Sequence, residues 1–205
     1  MLELTGMIYI EFFERDRFMP LEIFRAMGDH GAWTDPDDSL FANLARTMRI
    51  GPHPANMAFW KCNGLERMDE WEAFFRSDEG MRDTHEQASL RTLHLKNAGC
   101  YDEVVEGPRP TEGLQYVEFF DFSSDVTDER ITEHFAGRAA SQGQAILNIV
   151  VRRIGLLGPV HIGDIAVWTV PSYADGEGIF RERHDDSQLG PNQAGVYRAF
   201  GQEIL

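Results

Sequence analysis

Two glutamates stand in matched settings in the sequence and are the first candidates for chemistry. Glu11 lies in the segment Tyr-Ile-Glu-Phe-Phe, and Glu118 lies in Tyr-Val-Glu-Phe-Phe much further along the chain. A carboxylate is costly to bury unless it is paired or protonated. In an apolar cavity the pKa of such a carboxyl would be raised into the range where a general acid or base works. The pattern therefore predicts Glu11 and Glu118 as a catalytic pair, with Tyr9 and Tyr116 beside them to stabilise an oxyanion.

The alternative for both glutamates is a structural ion pair. Arg49 and Arg153 occupy matched positions and could each bind one carboxylate. If both glutamates were held in this way, catalysis would lose its acid.

Two histidines are further acid or base candidates, because the pKa of imidazole lies close to neutral pH. His30 follows a predicted helix in a glycine-flanked loop near Trp33, and His134 lies within the equivalent helix later in the chain. The histidines predicted in turns and on helix surfaces are interpreted as solvated.

Matched aromatic residues suggest walls for a flat ligand, or else shared core packing. Two tryptophans and two phenylalanines recur in this way, and the matched arginines could bind a polar group of the same ligand. The predicted substrate-binding residues are Trp60, Trp168, Phe13, Phe120, Arg49 and Arg153.

The elements that must position these side chains occur twice. The segments 6–13, 49–51, 57–60, 75–76 and 98–101 return in the same order as 113–120, 153–155, 165–168, 180–181 and 194–197. A period this long exceeds that of solenoid repeats. We interpret the chain as two copies of one α+β unit, residues 1–106 and 114–205, joined by a linker at 107–113.

Each copy reads as β-α-β-β-α-β, the split βαβ arrangement called ferredoxin-like. The predicted strands of the first copy are 7–14, 42–50, 56–62 and 99–105, with helices at 20–27 and from Glu70 after a cap at Asp69. The second copy is predicted to have strands around 113–120, 146–154, 164–170 and 195–201, with helices at 125–134 and 175–183. We expect the uniformly apolar face of the first strand, Ile8 to Phe12, to pack on the helices, with Tyr9, Glu11 and Phe13 facing a central cavity.

This topology, with fragments such as Tyr-Ile-Glu-Phe-Phe and Arg-Ile-Gly, resembles the dimeric α+β barrel superfamily, and within it the EthD-type or stress-responsive branch. The resemblance implies two tandem ferredoxin-like repeats packed sheet to sheet as an intramolecular α+β barrel. It also implies an enzyme that needs no cofactor, and we expect a lyase, dehydratase, isomerase or cyclase acting by proton transfer on a small hydrophobic or aromatic molecule. The alternatives are a non-catalytic ligand-binding or stress-response protein, a cofactor-free monooxygenase, and a structural role with a filled barrel. Some members of the superfamily bind haem, for which His184 or His134 would be the axial ligand, although the sequence lacks patterns typical of those proteins.

Composition excludes several classes of partner. The formal net charge of −15 disfavours nucleic acid and anionic membranes, which would repel the chain. No apolar run is long enough for a membrane helix, and the N-terminal residues lack the features of a signal peptide. Neither Cys62 nor Cys100 sits in a zinc-type motif, so we predict no metal site, and a cytoplasmic protein that could also form a homodimer.

Overall fold

The architecture is α+β and is built around a closed barrel of eight antiparallel strands. In this computed structural model the described residues are 7–15, 40–47, 54–62, 64–78, 93–110, 113–155, 162–181 and 188–200. The strands are β1 (Met7–Arg15), β2 (Leu40–Arg46), β3 (Asn56–Cys62), β4 (Leu93–Glu106), β5 (Gly113–Phe120), β6 (Ile146–Arg153), β7 (Asp164–Val170) and β8 (Gln193–Phe200). The described helices are α1 (Leu65–Phe75), α2 (Asp128–Ser141) and α3 (Tyr173–Arg181).

The strand order around the barrel is β1-β3-β2-β8-β5-β7-β6-β4. The first half, β1 to β4, therefore has the order β4-β1-β3-β2, and the second half, β5 to β8, has the order β8-β5-β7-β6. The halves meet where β2 pairs with β8 and where β4 pairs with β6. The predicted fold class and the barrel are confirmed, whereas the origin of the halves as tandem repeats stays a prediction.

Two tyrosines on the pairing strands connect the halves. The hydroxyl of Tyr101 on β4 lies 3.5 Å from the carbonyl oxygen of Ile162, and the hydroxyl of Tyr197 on β8 donates to the carbonyl oxygen of Pro54 at 3.0 Å. Each tyrosine thus contacts the loop before the third strand of the other half. Both side chains are fully buried, so these contacts join the halves inside the protein.

The barrel interior is apolar and is contributed by both halves. Ile8, Ile10 and Phe12 pack there with Val117 and Phe119 from β5, in one cluster of buried side chains. The expected facing of the first strand is therefore wrong, since its purely apolar face points inward. The physical reason is that the closed interior offers few hydrogen-bond partners, so the face with the carboxylate turns toward the helices, where polar side chains can reach it.

Several element boundaries also differ from those predicted. Helix α1 begins at Leu65, so Asp69 lies within the helix and does not cap it, and β4 is longer than expected. Of the predicted strand 42–50, residues 42–46 lie in β2 as predicted, and residues 48–50 lie outside the described part of the chain. The predicted helix at 20–27 lies outside the described residues.

Candidate functional site

The second half contains a buried carboxylate cluster, made of Glu118, Arg138 and Trp168. The guanidinium of Arg138 binds Glu118 with both nitrogens, Nη1 to Oε2 at 2.8 Å and Nη2 to Oε1 at 2.9 Å. The indole Nε1 of Trp168 donates to Glu118 Oε2 at 3.0 Å. The side chains of Glu118 and Arg138 are 0% and 6% exposed, and the two parallel bonds form the geometry in which arginine and carboxylate bind most strongly.

Helix α2 positions Arg138 above the sheet. The helix begins after Thr127, whose side chain accepts a hydrogen bond from the backbone N–H of Arg130. Its buried face consists of Ile131, Phe135 and Arg138, spaced so that all three point toward the sheet. The guanidinium carbon of Arg138 lies 5.3 Å from the Phe135 ring centre and 5.2 Å from that of Trp168, within the range of cation–π attraction.

This cluster corrects the predicted pairing of the glutamates. Arg153 does not bind Glu118 but lies 4.0 Å from Asp121, near the protein surface. The residue that binds Glu118 was missed because only Arg49 and Arg153 were identified as matched arginines, and Arg138 lies outside the matched segments. A signal was nevertheless present in the helical spacing of Ile131, Phe135 and Arg138, although the predicted helix ended at residue 134, before Phe135 and Arg138.

The first half contains a related arrangement, here called the first-half site, made of Tyr9, Glu11 and Trp60. Trp60 on β3 lies opposite Tyr9 on β1, and its indole Nε1 donates to Glu11 Oε2 at 2.9 Å. The register is the same in the second half, where Trp168 lies opposite Tyr116. The two sites differ in burial, since Glu11 and Trp60 are both partly exposed, whereas Glu118 and Trp168 are fully buried.

Two cysteines complete the surroundings of Tyr9. Cys100 lies opposite Tyr9 on β4, and Cys62 lies opposite Met7 on β3. Burial raises the pKa of Tyr9 above its ordinary value, and the neighbouring Glu11, Cys100 and Cys62 raise it further. Burial also raises the pKa of the Cys100 thiol to about 11. Both the phenol and this thiol are therefore protonated at neutral pH and can act as hydrogen-bond donors.

The first residue of the third strand differs between the halves, and its importance was missed by the sequence analysis. In the second half this residue is Asp164, opposite Phe120, and its carboxylate accepts the backbone N–H of Phe122 at 2.8 Å and that of Arg153 at 2.7 Å. In the first half it is Asn56, opposite Phe13. Asn56 is 1% exposed, and within the described part of the chain neither atom of its carboxamide has a hydrogen-bond partner.

The remaining predicted site residues are placed as follows. Phe120 packs in the aromatic layer beneath α2, where its ring lies 5.5 Å from that of Phe135, and Tyr116 lies with its hydroxyl 3.5 Å from Glu118. His134 is half-buried on α2, with its ring against Phe135. His30 and Arg49 lie outside the described residues. Of the predicted site residues, the structure thus brings together one set in each half, and it does not join the two sets in a shared cavity.

The described residues provide neither a metal site nor, beneath α2, room for a haem. Among the described residues, no group of three or more His, Cys, Asp or Glu side chains could hold a metal ion. In the described layer between α2 and the sheet, the fully buried rings of Phe120, Phe135 and Trp168 fill the space over Glu118 and Arg138. A haem does not fit into that packing, although the imidazole of His134 is of the type that binds haem iron.

The fold is shared with proteins of known structure. No protein-family model matches the sequence, and no match was found among curated proteins. The structure is similar to a chlorite dismutase variant from Candidatus Nitrospira defluvii, with a TM-score of 0.60 and 12% identity over 98% of this chain and 96% of that one. A second variant, solved in complex with cyanide, aligns with a TM-score of 0.58 and 11% identity over 97% and 92% of the two chains. A "putative monooxygenase" from Lactobacillus acidophilus aligns with a TM-score of 0.53 and 9% identity over 97% of both chains.

These neighbours overturn the expected reaction. The prediction of a cofactor-independent lyase, dehydratase, isomerase or cyclase is wrong, because the structural neighbours are chlorite dismutases and a monooxygenase-type protein. The EthD-type assignment is not confirmed, whereas the wider α+β barrel architecture is. In the described residues, no helix is long and apolar enough to cross a membrane.

Proposed function

We propose that the protein is an oxidoreductase of the monooxygenase type and that its reaction centre is the first-half site. One observation carries the proposal: the same carboxylate–indole pair occurs in both halves, but only the pair of Glu11 and Trp60 is partly exposed. A reacting group must be reachable by its substrate. Glu118 is held by Arg138 and has no exposed surface, so its role is structural.

The proposed roles follow from the contacts of each side chain. In a monooxygenation without an external reductant, a methylene group of the substrate supplies all four electrons: CH2 and O2 become C=O and H2O, and the methylene carbon loses a proton first. Glu11 accepts that proton, while the indole N–H of Trp60 fixes its Oε2 atom. Tyr9, whose raised pKa keeps it protonated, donates a hydrogen bond to the oxygen that gains negative charge.

We also propose that the two halves descend from one ferredoxin-like unit and that the ligand is a small hydrophobic or aromatic molecule. The matching strand orders and the matching cross-strand partners of Trp60 and Trp168 support the first point. The aromatic surface of Trp60 and Phe13 on one sheet face supports the second.

Oxygen consumption tests this function. Purified protein should consume O2 with a panel of electron-rich aromatic compounds, and the oxidised product should contain oxygen from ¹⁸O₂. Glu11→Gln should lower kcat by about 10² or more, the usual contribution of a positioned proton acceptor, and should leave the melting temperature nearly unchanged. Full activity in Glu11→Gln would overturn the assignment of the centre, and no O2 consumption with the panel would overturn the reaction.

A haem-dependent oxidoreductase is the second candidate. It is favoured by the fold shared with chlorite dismutases, one of which was solved with cyanide, and by the half-buried imidazole of His134. The aromatic side chains that fill the layer beneath α2 leave no room for haem there, so we assign no reaction step to a haem group. Titration with haemin decides the matter: a Soret band that shifts on binding and is lost in His134→Ala would favour haem, and an unchanged spectrum of free haemin would exclude it.

A further inference from the structure

We propose that one helix position controls whether the carboxylate–indole pair of each half can be reached from solvent. The position is Gly176 on α3 and Trp71 on α1. A glycine lets the helix lie directly on the sheet and closes the second half, whereas a larger residue holds the helix further away and leaves the first half open. The inference rests on the proposed function, because it explains how a substrate reaches the first-half site.

The second half is closed where α3 crosses Tyr116. Gly176 is buried, and a Cβ atom placed on it would lie 3.4 Å from Cδ2 of Tyr116 and 3.6 Å from its Cβ. These are ordinary van der Waals distances, so there is room for one methyl group, but a longer side chain would meet the tyrosine ring. Tyr116 is 3% exposed, and Trp168, its partner across the strands, is 0% exposed. The close approach of α3 therefore covers both rings.

Helices α1 and α3 each follow the third strand of their half and can be aligned residue by residue. Each helix carries an exposed ion pair between a glutamate and the arginine four residues later. The pairs are Glu72 with Arg76 in α1 and Glu177 with Arg181 in α3. The same alignment superimposes the repeated segments 75–76 and 180–181. It places residue 71 at the position of Gly176.

The residue types at this position differ as much as two residue types can. A helix with an indole at a position that faces the sheet cannot approach the sheet as closely as a helix with a hydrogen atom there. The exposed fractions agree with this difference. Tyr9, Glu11 and Trp60 are partly exposed, whereas their counterparts in the second half are at most 3% exposed. Size at one helix position thus accounts for the difference in access between the halves.

A water-soluble nitroxide, TEMPOL, tests the proposal in the second half, because it broadens the NMR signals of the groups that it can approach. In the wild type it should broaden the indole N–H signal of Trp60 and leave that of Trp168 sharp. Gly176→Leu should displace α3, and the Trp168 signal should then lose intensity as the Trp60 signal does. Gly176→Ala should keep the Trp168 signal sharp and raise the melting temperature by about 2–4 °C, since alanine favours a helix more than glycine does.

Gly178→Leu is the matched control on the same helix. Gly178 is exposed, and nothing lies within 4 Å of a Cβ atom placed on it. The added side chain therefore does not displace α3, and the Trp168 signal should stay sharp with TEMPOL. If Gly176→Leu does not fold, Gly176→Val takes its place with the same expected loss of intensity.

Trp71→Ala tests the first half. A methyl group at this position fits between helix and sheet in the second half, so α1 should move closer to its own sheet. The Trp60 signal should then lose less intensity with TEMPOL than in the wild type, and O2 consumption should fall. Trp71→Phe keeps a large ring at the position and should leave both measurements unchanged.

Three results would overturn the proposal: a sharp Trp168 signal in Gly176→Leu, equal broadening of the two indoles in the wild type, or undiminished broadening of Trp60 in Trp71→Ala. The spectra are recorded without substrate, so they do not depend on the reaction. The expected broadening without O2 consumption in the wild type would remove only the proposed reaction. O2 consumption in the wild type with any of the three results would remove only this inference.

Discussion

The two halves of the barrel place the same residue types at the same positions and use them differently. In the second half Glu118 is bound by Arg138 and Trp168 beneath α2, and Asp164 accepts two backbone N–H groups. In the first half Glu11 and Trp60 are partly exposed, and the Asn56 carboxamide is buried without a described partner. The same set of positions is therefore closed from solvent in the second half and partly exposed in the first, which is the difference on which the proposed reaction centre depends.

The largest expected effect comes from breaking the ion pair of the second half. Arg138→Leu leaves Glu118 buried without its cation and should lower the free energy of unfolding by about 3–5 kcal/mol. Urea denaturation followed by circular dichroism measures this loss. The double variant Glu118→Leu/Arg138→Leu should recover most of it, since no charge is then left buried.

If Arg138→Leu were as stable as the wild type, Glu118 would have to be accessible to water, and the contrast between the halves would fail. Glu11→Gln supplies the comparison in the first half. Because Glu11 is partly exposed, this variant should lose no more than about 1 kcal/mol.

An intermediate effect on stability is expected at the first residues of β3 and β7, Asn56 and Asp164. Asp164→Ala leaves two backbone N–H groups without an acceptor and should cost about 2 kcal/mol. Asn56→Ala removes no described hydrogen bond and should change stability by less than about 1 kcal/mol. Thermal unfolding of the two variants side by side measures the difference, and equal losses would show that Asn56 has a structural partner after all.

The smallest effect concerns Tyr197, which joins the halves. Tyr197→Phe removes its hydrogen bond to the Pro54 carbonyl and should cost about 1 kcal/mol. Burial raises the pKa of Tyr197, so the unfolded chain loses the phenol proton first as the pH increases. The buried, protonated phenol therefore makes its full contribution to the free energy of unfolding below about pH 10, and this contribution is lost as the pH rises further.

The wild type should accordingly lose stability more steeply than Tyr197→Phe between about pH 10 and pH 12. Denaturation midpoints measured over this range provide the check. Identical slopes for the two proteins would mean that the phenol of Tyr197 is not buried in the folded state.

Much of the fold could be predicted from the sequence, because it depends on patterns that occur twice. The spacing of Leu40, Leu44 and Met48 also fits a helix, so the strand at 42–50 was predicted only from its strand-like counterpart at 146–154. Which face of β1 lies inside the barrel could not be predicted in the same way, because both faces carry large apolar side chains. Only the closure of the barrel distinguishes the two faces.

The candidate site was harder to predict than the fold. The matched glutamates and tryptophans were found because they recur at corresponding positions, but Arg138 and Asn56 lie outside the segments that were matched. Arg138 comes from a helix whose angle over the sheet is set by tertiary packing, and whether the Asn56 carboxamide finds a partner depends on the three-dimensional arrangement around the start of β3. Residue spacing indicates that Arg138 shares a helix face with Ile131 and Phe135, but it does not predict the contact of Arg138 with Glu118 or the state of Asn56.

The difference in burial between the two tryptophans is the central claim, and hydrogen exchange of their indole N–H groups tests it most directly. Both groups donate to a glutamate, so their chemistry is matched. We expect Trp168 to exchange only with global unfolding and Trp60 to exchange at least about 100-fold faster, as an NMR time course in D2O would show. Equal protection of the two indoles would contradict the account, since the first-half site would then be as closed as the second.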